Sequence, residues 1–305
     1  MISFRYHVVT IVAVFLALAL GVLAGTTVIK SGLVRTLRAN TDRAERQLQD
    51  AQRLNSELGS VRDESYAWLV PGRLEGENVV VLTDDRADPS GSRSATEALS
   101  DAGANVVRMT ATSLLTSRGE ANALADLLCL SRDTPQATLV STASQQLADR
   151  LSGGTPAVPP TTCSTAPADL LVSMIQQGFI TSPDVNPGDA SGIGGPDQLI
   201  VISAGGQGAP GVPIQTFMKP LVTKLVEDGS TTAAVETKGT ELHPFVPLIR
   251  NDVPPDRDHF LTVDDVELKE GRLALVLGLS RVIAGAPGED YGVKAGADQP
   301  LPPPP

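Results

Sequence analysis

Aromatic residues make up only 3% of this 305-residue sequence, so any core must be built from aliphatic side chains. Ala, Val, Leu and Gly dominate, a composition that suits parallel strands covered by helices. Histidine is scarce, at His7, His243 and His259, and the four methionines include Met109, Met174 and Met218. No H-x-H, M-x-x-M or C-x-x-C spacing occurs. The chain therefore carries no local cluster of the soft ligands that copper(I) prefers. Each of those three methionines falls in an expected strand or helix, where core packing accounts for it. The cysteines, Cys129 and Cys163, leave two readings open: a disulfide in an oxidising compartment, or two buried thiols. No P-loop spacing, no G-x-S-x-G elbow and no G-x-G-x-x-G after the first strand is present. The common nucleotide and hydrolase signatures are thus missing. No catalytic or cofactor-binding residue is assigned, no resident cofactor is expected, and the expectation is a protein that is not an enzyme.

Positive charge is also in short supply. The formal net charge is −11, and after residue 73 there are 15 basic against 29 acidic residues. Such a body is a poor partner for nucleic acid, whose phosphates need a positive surface. Solubility outside a membrane explains the acidity equally well.

One long apolar run is present. Val8–Ile29 has no charged residue, and at about 1.5 Å per residue a helix there spans about 33 Å, enough for a bilayer core. A cleaved signal peptide ending at Val22-Leu23-Ala24 competes with a permanent anchor, but the run continues past that point. Ala17, Gly21 and Gly25 share one helix face and would allow close helix approach. His7 borders the run and marks an interface. Next, Val34, Leu37, Thr41, Ala44, Leu48, Ala51, Asn55 and Leu58 alternate at spacings of three and four, with charged residues between them. This pattern predicts a coiled-coil stalk and a parallel homodimer that continues the apolar helix. An amphipathic helix lying on the chain's own domain is the competing explanation.

From residue 78 strands and helices alternate. Expected strands are Asn78–Thr83, Asn105–Met109, Ala137–Ser141, Gln198–Ser203, Thr231–Glu236 and His259–Val263. Expected helices are Ser94–Asp101, Leu114–Leu130, Ala143–Leu151, Ala168–Gln177, Gln215–Glu227 and Gly271–Ile283. The order predicts an α/β fold with a doubly wound, mainly parallel sheet. The predicted organisation is a flank at 1–7, a transmembrane helix at 8–29, a stalk at 30–68, an α/β domain at 69–297 and an extended, proline-rich tail at 298–305. Asp84 and Asp85 end the first strand as either turn residues or ligands for a cation or phosphoryl group. Gly205, Gly206 and Gly208 follow the strand ending at Ser203, as a plain turn or a phosphate cradle.

The opening Met1-Ile2-Ser3-Phe4-Arg5-Tyr6-His7, running into VVTIVAVFLALALGVLAG, resembles the start of the actinobacterial copper transporter MctB family. Asp264-Asp265-Val266 with Gly271–Leu277 is similar to that family's closing helix, and Tyr291-Gly292-Val293 to its signature near the C-terminus. The resemblance implies copper efflux, with copper as the transported ion, and a channel in the mycobacterial outer membrane. It also implies an extracytoplasmic domain and a link to cell separation, in which members act with a cytoplasmic partner to control peptidoglycan hydrolases. No metal-ligand motif carries over, so the metal ligands stay unassigned. Two residue patterns sit against parts of this. One apolar helix cannot line a pore alone, and the strands lack the alternation of an outer-membrane barrel. Lys30, Arg35, Arg38, Arg43 and Arg46 follow the apolar run while Arg5 alone precedes it, and counting positive charge would place the stalk inside.

Overall fold

The computed structural model describes residues 4–153, 169–240, 242–252 and 258–303; of residues 4, 5 and 26–36 the backbone alone is described. The chain forms two compact units, 1–61 and 62–305.

Helix α1 is assigned over Phe4–Leu69. Within the first unit it includes Tyr6–Gly25, whose mean hydropathy of 2.7 makes it long and apolar enough to cross a membrane. Leu37, Leu48, Leu54, Leu58 and Val61 are all exposed in this single chain. Heptad packing against a second helix is not part of it. The residue-30–36 end of the stalk, including Val34, lies outside the described side chains.

The second unit begins with the last turns of α1. Tyr66 and Leu69 pack onto the core beside fully buried Val70 and Leu74. Then follow β1 (Asn78–Asp84), α2 (Pro89–Asp101), β2 (Asn105–Ala111), α3 (Ala121–Leu127), α4 (Gln136–Leu151), α5 (Leu170–Gln176) and β3 (Ile180–Thr181). The chain continues through β4 (Leu199–Ser203), α6 (Lys219–Glu227), β5 (Thr232–Val235), α7 (Val246–Asp252), β6 (Phe260–Val263), α8 (Lys269–Ile283) and β7 (Asp290–Tyr291). Local chemistry explains the first crossover. Asp88 caps α2 by accepting the Ser90 N–H at 2.9 Å, and Pro89 fits the first helical turn. Gly103, at φ +91°, then lets the chain leave the helix.

The sheet has the order β3-β2-β1-β4-β5-β6-β7. All neighbours are parallel except β2 and β3. Helices lie on both faces, so β4, β5 and β6 are buried along their whole length and read as continuous apolar runs. One core layer joins β1, β4 and β5 to α3–α6, and the other joins the same strands to α2, α8 and the end of α1.

Several expectations need correction. Ala137–Ser141 is not a strand but the first part of α4, which buries Leu139, Val140, Ala143, Leu147, Ala148 and Leu151. A short run such as Thr138-Leu139-Val140 fits either period, and the helical spacing that follows decides it. The single helix expected over Leu114–Leu130 is a short turn at Ser113–Thr116 and then α3. The helix expected from Gln215 starts as a wider turn at Ile214–Met218 before α6. The two-residue strands β3 and β7 and helix α7 have no periodic signal and were not expected. Asp298 donates its N–H to the Asp290 carbonyl at 2.8 Å and Pro302 is buried, so the start of the proline-rich tail packs along β7.

Candidate functional site

In an open α/β sheet, ligands commonly bind beyond the C-terminal strand ends where the winding reverses. Here that point lies between β1 and β4, where Asp84, Asp85 and the glycine loop meet. The protein's own backbone fills it. The Asp84 carboxylate accepts the Arg86, Gly211 and Val212 N–H groups at 2.8, 3.0 and 3.2 Å. Asp85 accepts the Ser113 N–H at 2.8 Å. Burial still lifts the Asp84 carboxyl above its ordinary range, although the three N–H donors pull the other way. Gly205 has φ +91°, and a Cβ there would lie 2.7 Å from Thr240 Cγ2 and 3.0 Å from the His243 carbonyl oxygen. Close packing against Thr240 and His243, with its positive φ, therefore accounts for this glycine.

The polar groups converge instead at the C-terminal ends of β5, β6 and β7. Buried Arg250, on α7, donates to Thr262 Oγ1 at 2.8 Å, to Asp264 Oδ2 at 2.7 Å and to the Tyr291 carbonyl at 2.8 Å. Asp264 also accepts the Val293 and Lys294 N–H groups at 2.8 and 3.0 Å. Lys294 Nζ reaches Glu236 Oε1 at 2.7 Å and the carbonyls of Thr237 and Thr240 at 2.8 and 3.2 Å. The other Glu236 oxygen accepts the Phe245 and Val246 N–H groups at the start of α7. Burial raises the Glu236 carboxyl, and Lys294 with the two N–H groups opposes that rise. Two buried ion pairs thus join α7, three strands and the 292–294 turn. Their charges are compensated within the protein, which gives them a holding role.

The two C-terminal sequence signatures meet in this knot. A Cβ on Gly292 would lie 2.3 Å from Asp264 Oδ1, and one on Gly278 2.8 Å from the Tyr291 ring. The residues outside these signatures that complete the network, Glu236, Arg250 and Lys294, carry no motif of their own in the sequence. Charged residues in apolar contexts (VETK, PLIRND, YGVK) were the available signal.

Asp265 differs from its neighbours. It is 2% exposed and its Oδ1 has no hydrogen-bond partner. Burial first, then the charges of Asp264, Glu267 and Glu270, push its carboxyl up to about 6 against partial relief from Lys238. The folded state therefore holds this proton more tightly than the unfolded chain does. Its favourable contribution is present at low pH and is lost as pH rises from about 4 to about 6, a change of about 2–3 kcal/mol. Asp265→Asn is expected to raise the stability of the protein at pH 7.5 by about 2 kcal/mol and change it little at pH 4. Urea titrations at the two pH values measure this. Equal shifts at both would show that the carboxyl does not titrate in that window.

The soft side chains are taken up by packing or by a disulfide. Met109, Met174 and Met218 are fully buried in one core layer. Cys129 is disulfide-bonded, and Cys163 lies outside the described residues. His7 is on α1, His243 is half-buried beside Gly206, and His259 is exposed. Among the described residues no group of three His, Cys, Asp or Glu is disposed to hold a metal ion.

Together these features describe an α/β domain, knotted by buried ion pairs, in a chain that also carries one apolar helix of membrane-spanning length. The chain belongs to the MctB family: the family model described as "Copper transport outer membrane protein, MctB" matches residues 1–302. It is 27% identical to proteins named copper transporter MctB from Mycobacterium bovis and Mycobacterium tuberculosis, over 97% of this chain and 98% of theirs.

Proposed function

We propose that the protein is a single-pass, non-enzymatic component of copper efflux or homeostasis at the cell envelope. The match of nearly the whole chain to a copper-transport family carries this reading. In it, the apolar segment at 8–29 anchors the chain, residues 30–68 form a stalk, and the domain from residue 69 to 297, with its tail to residue 305, is extracytoplasmic. Two copies pair in parallel through α1. Exposed Leu37, Leu48 and Leu58 and the small-residue face at Ala17, Gly21 and Gly25 support the pairing. Replacing Leu48 and Leu58 together with aspartate is expected to convert a dimer into a monomer in detergent. Analytical ultracentrifugation reads the mass, and an unchanged value would exclude a seam through those residues. A fragment starting at Gly72 is expected to be monomeric.

The copper effect is indirect in this proposal, acting through envelope organisation or a partner. The observation behind it is that the soft side chains are already committed, Met109, Met174 and Met218 to core packing and Cys129 to a disulfide. Titration of the purified protein with Cu(I) against a competing chelator under reducing conditions is expected to show no stoichiometric site. A site that outcompetes the chelator and disappears in Cys129→Ser or Cys163→Ser would restore direct copper handling.

A second reading is a scaffold that acts with a division partner on peptidoglycan hydrolases. The closed switch-point crevice and the free apolar stripe of α1 favour it, since both suit a protein that binds partners rather than a small substrate. Gene deletion with copper sensitivity and septation measured in parallel separates the two. Copper sensitivity with normal septation supports the first reading, and the reverse supports the scaffold.

A further inference from the structure

A cleft of about 440 Å³ opens between α2 and β2. Val81, Thr83 and Thr110 line it from the sheet, Arg93 and Thr96 from α2, and Arg108 from β2. Its one carboxylate, Glu97, is paired with Arg272 at 2.9 Å. Arg93 is exposed and has no ion-pair or hydrogen-bond partner among the described residues. Arg108 is held in place. Asp184 accepts its Nε at 2.8 Å, its Nη2 at 2.5 Å and its main-chain N–H at 2.9 Å.

The same strand has an unfinished edge. β2 runs over Asn105–Ala111 but meets β3 only at Thr110 and Ala111. The Arg108 N–H points outward to Asp184, so by strand alternation the N–H and C=O of Val106 also point outward. No strand among the described residues pairs there. After β3 the chain itself sets a carboxylate across both the main chain and the guanidinium of Arg108. That contact is an internal example of what this edge recognises.

We propose that the β2 edge and the adjoining cleft dock an extended acidic peptide segment of a partner protein. The segment runs beside Asn105–Val107, up to the Asp184 contact at Arg108, pairs with the outward N–H and C=O of Val106, and places a carboxylate on Arg93. Every second side chain of an added strand falls on the cleft face, and main-chain hydrogen bonds supply the remaining affinity. Charge complementarity selects the occupant. After residue 73 the protein carries 29 acidic and 15 basic residues, so its surface at large repels such a peptide while this cleft, with an unpaired arginine, attracts it. The proposal stands apart from any role in copper handling.

Fluorescence anisotropy of the full-length protein in detergent, with fluorescein-labelled (Thr-Glu)4 and (Thr-Lys)4 as probes, tests it. The acidic peptide is expected to bind at least about tenfold more tightly than the basic one. Arg93→Glu is expected to weaken the acidic peptide by about tenfold. Val106→Pro removes the outward N–H, which an edge strand tolerates, together with part of a half-buried side chain, and is expected to weaken it by a similar factor. Circular dichroism checks that both variants fold. Three outcomes overturn the proposal: no binding, equal binding of both peptides, or binding unchanged in Val106→Pro. The last, together with displacement by dextran sulfate, would mean a simple anion patch. Absence of binding would leave the Arg108–Asp184 pair as a guard of the edge against aggregation.

Discussion

Arg250→Leu is expected to cost the domain about 3–5 kcal/mol of stability, more than any single surface change. The guanidinium is the counter-charge of Asp264 at 2.7 Å and lies 3.7 Å from Asp290, and all three side chains are almost wholly buried. Leucine fills much of the volume but leaves two carboxylates without it. Asp264 keeps only the Val293 and Lys294 N–H groups. Loss of one partner of a buried pair is expensive because the remaining charge stays desolvated, whatever the intact pair contributes. Urea titration followed by circular dichroism measures the change. A loss below about 1 kcal/mol would show that water reaches the carboxylates and that the knot is not sealed.

Gly271→Ala is expected to destabilise the protein by about 2 kcal/mol, against the ordinary preference of a helix. In an exposed helix interior alanine is favoured over glycine by about 1 kcal/mol. Gly271 lies in the first turn of α8, where a Cβ would be 2.2 Å from the Asp265 carbonyl oxygen and 2.6 Å from its Oδ1. The carbonyl cannot retreat easily, since it accepts the Leu268 N–H at 2.9 Å. Overpacking against fixed backbone commonly costs about 1–3 kcal/mol, so the clash outweighs the propensity. Gly208→Ala is the matched control. Nothing lies within 4 Å of a Cβ there, and the change should stay within about 0.5 kcal/mol. Equal stability of the two variants would mean that α8 shifts freely and that this glycine is not needed for packing.

These two substitutions mark how far the sequence could be read. Asp264-Asp265-Val266, Gly271 and Tyr291-Gly292-Val293 stood out as patterns, but nothing in their spacing said why. The structure supplies the reason, since Gly292 and Gly271 are the points where backbone passes against Asp264 and Asp265. Arg250 was unreadable as a member because its partners lie 12, 14 and 41 residues away along the chain. The strand mistakenly expected at Ala137–Ser141 failed for the opposite reason. Its apolar run was too short for periodicity to choose, and packing of α4 against α6 chose the helix.

The sequence by itself determined the elements whose signal is local: an apolar run of membrane-spanning length, a 3–4 stripe after it, and apolar runs that read as strands buried on both faces. Each follows from side-chain periodicity against one environment, lipid, helix or core, and needs no distant contact. Tertiary structure alone decided what lies at the sheet's C-terminal edge. Whether Asp84 and Asp85 face a ligand or the protein's own loop depends on where the chain near Gly211 and Ser113 returns. Whether Arg250, Glu236 and Lys294 are surface charges or buried clamps depends on strands brought together by the winding of the sheet. Such contacts join residues far apart in the chain, and a short window of sequence contains only one side of them.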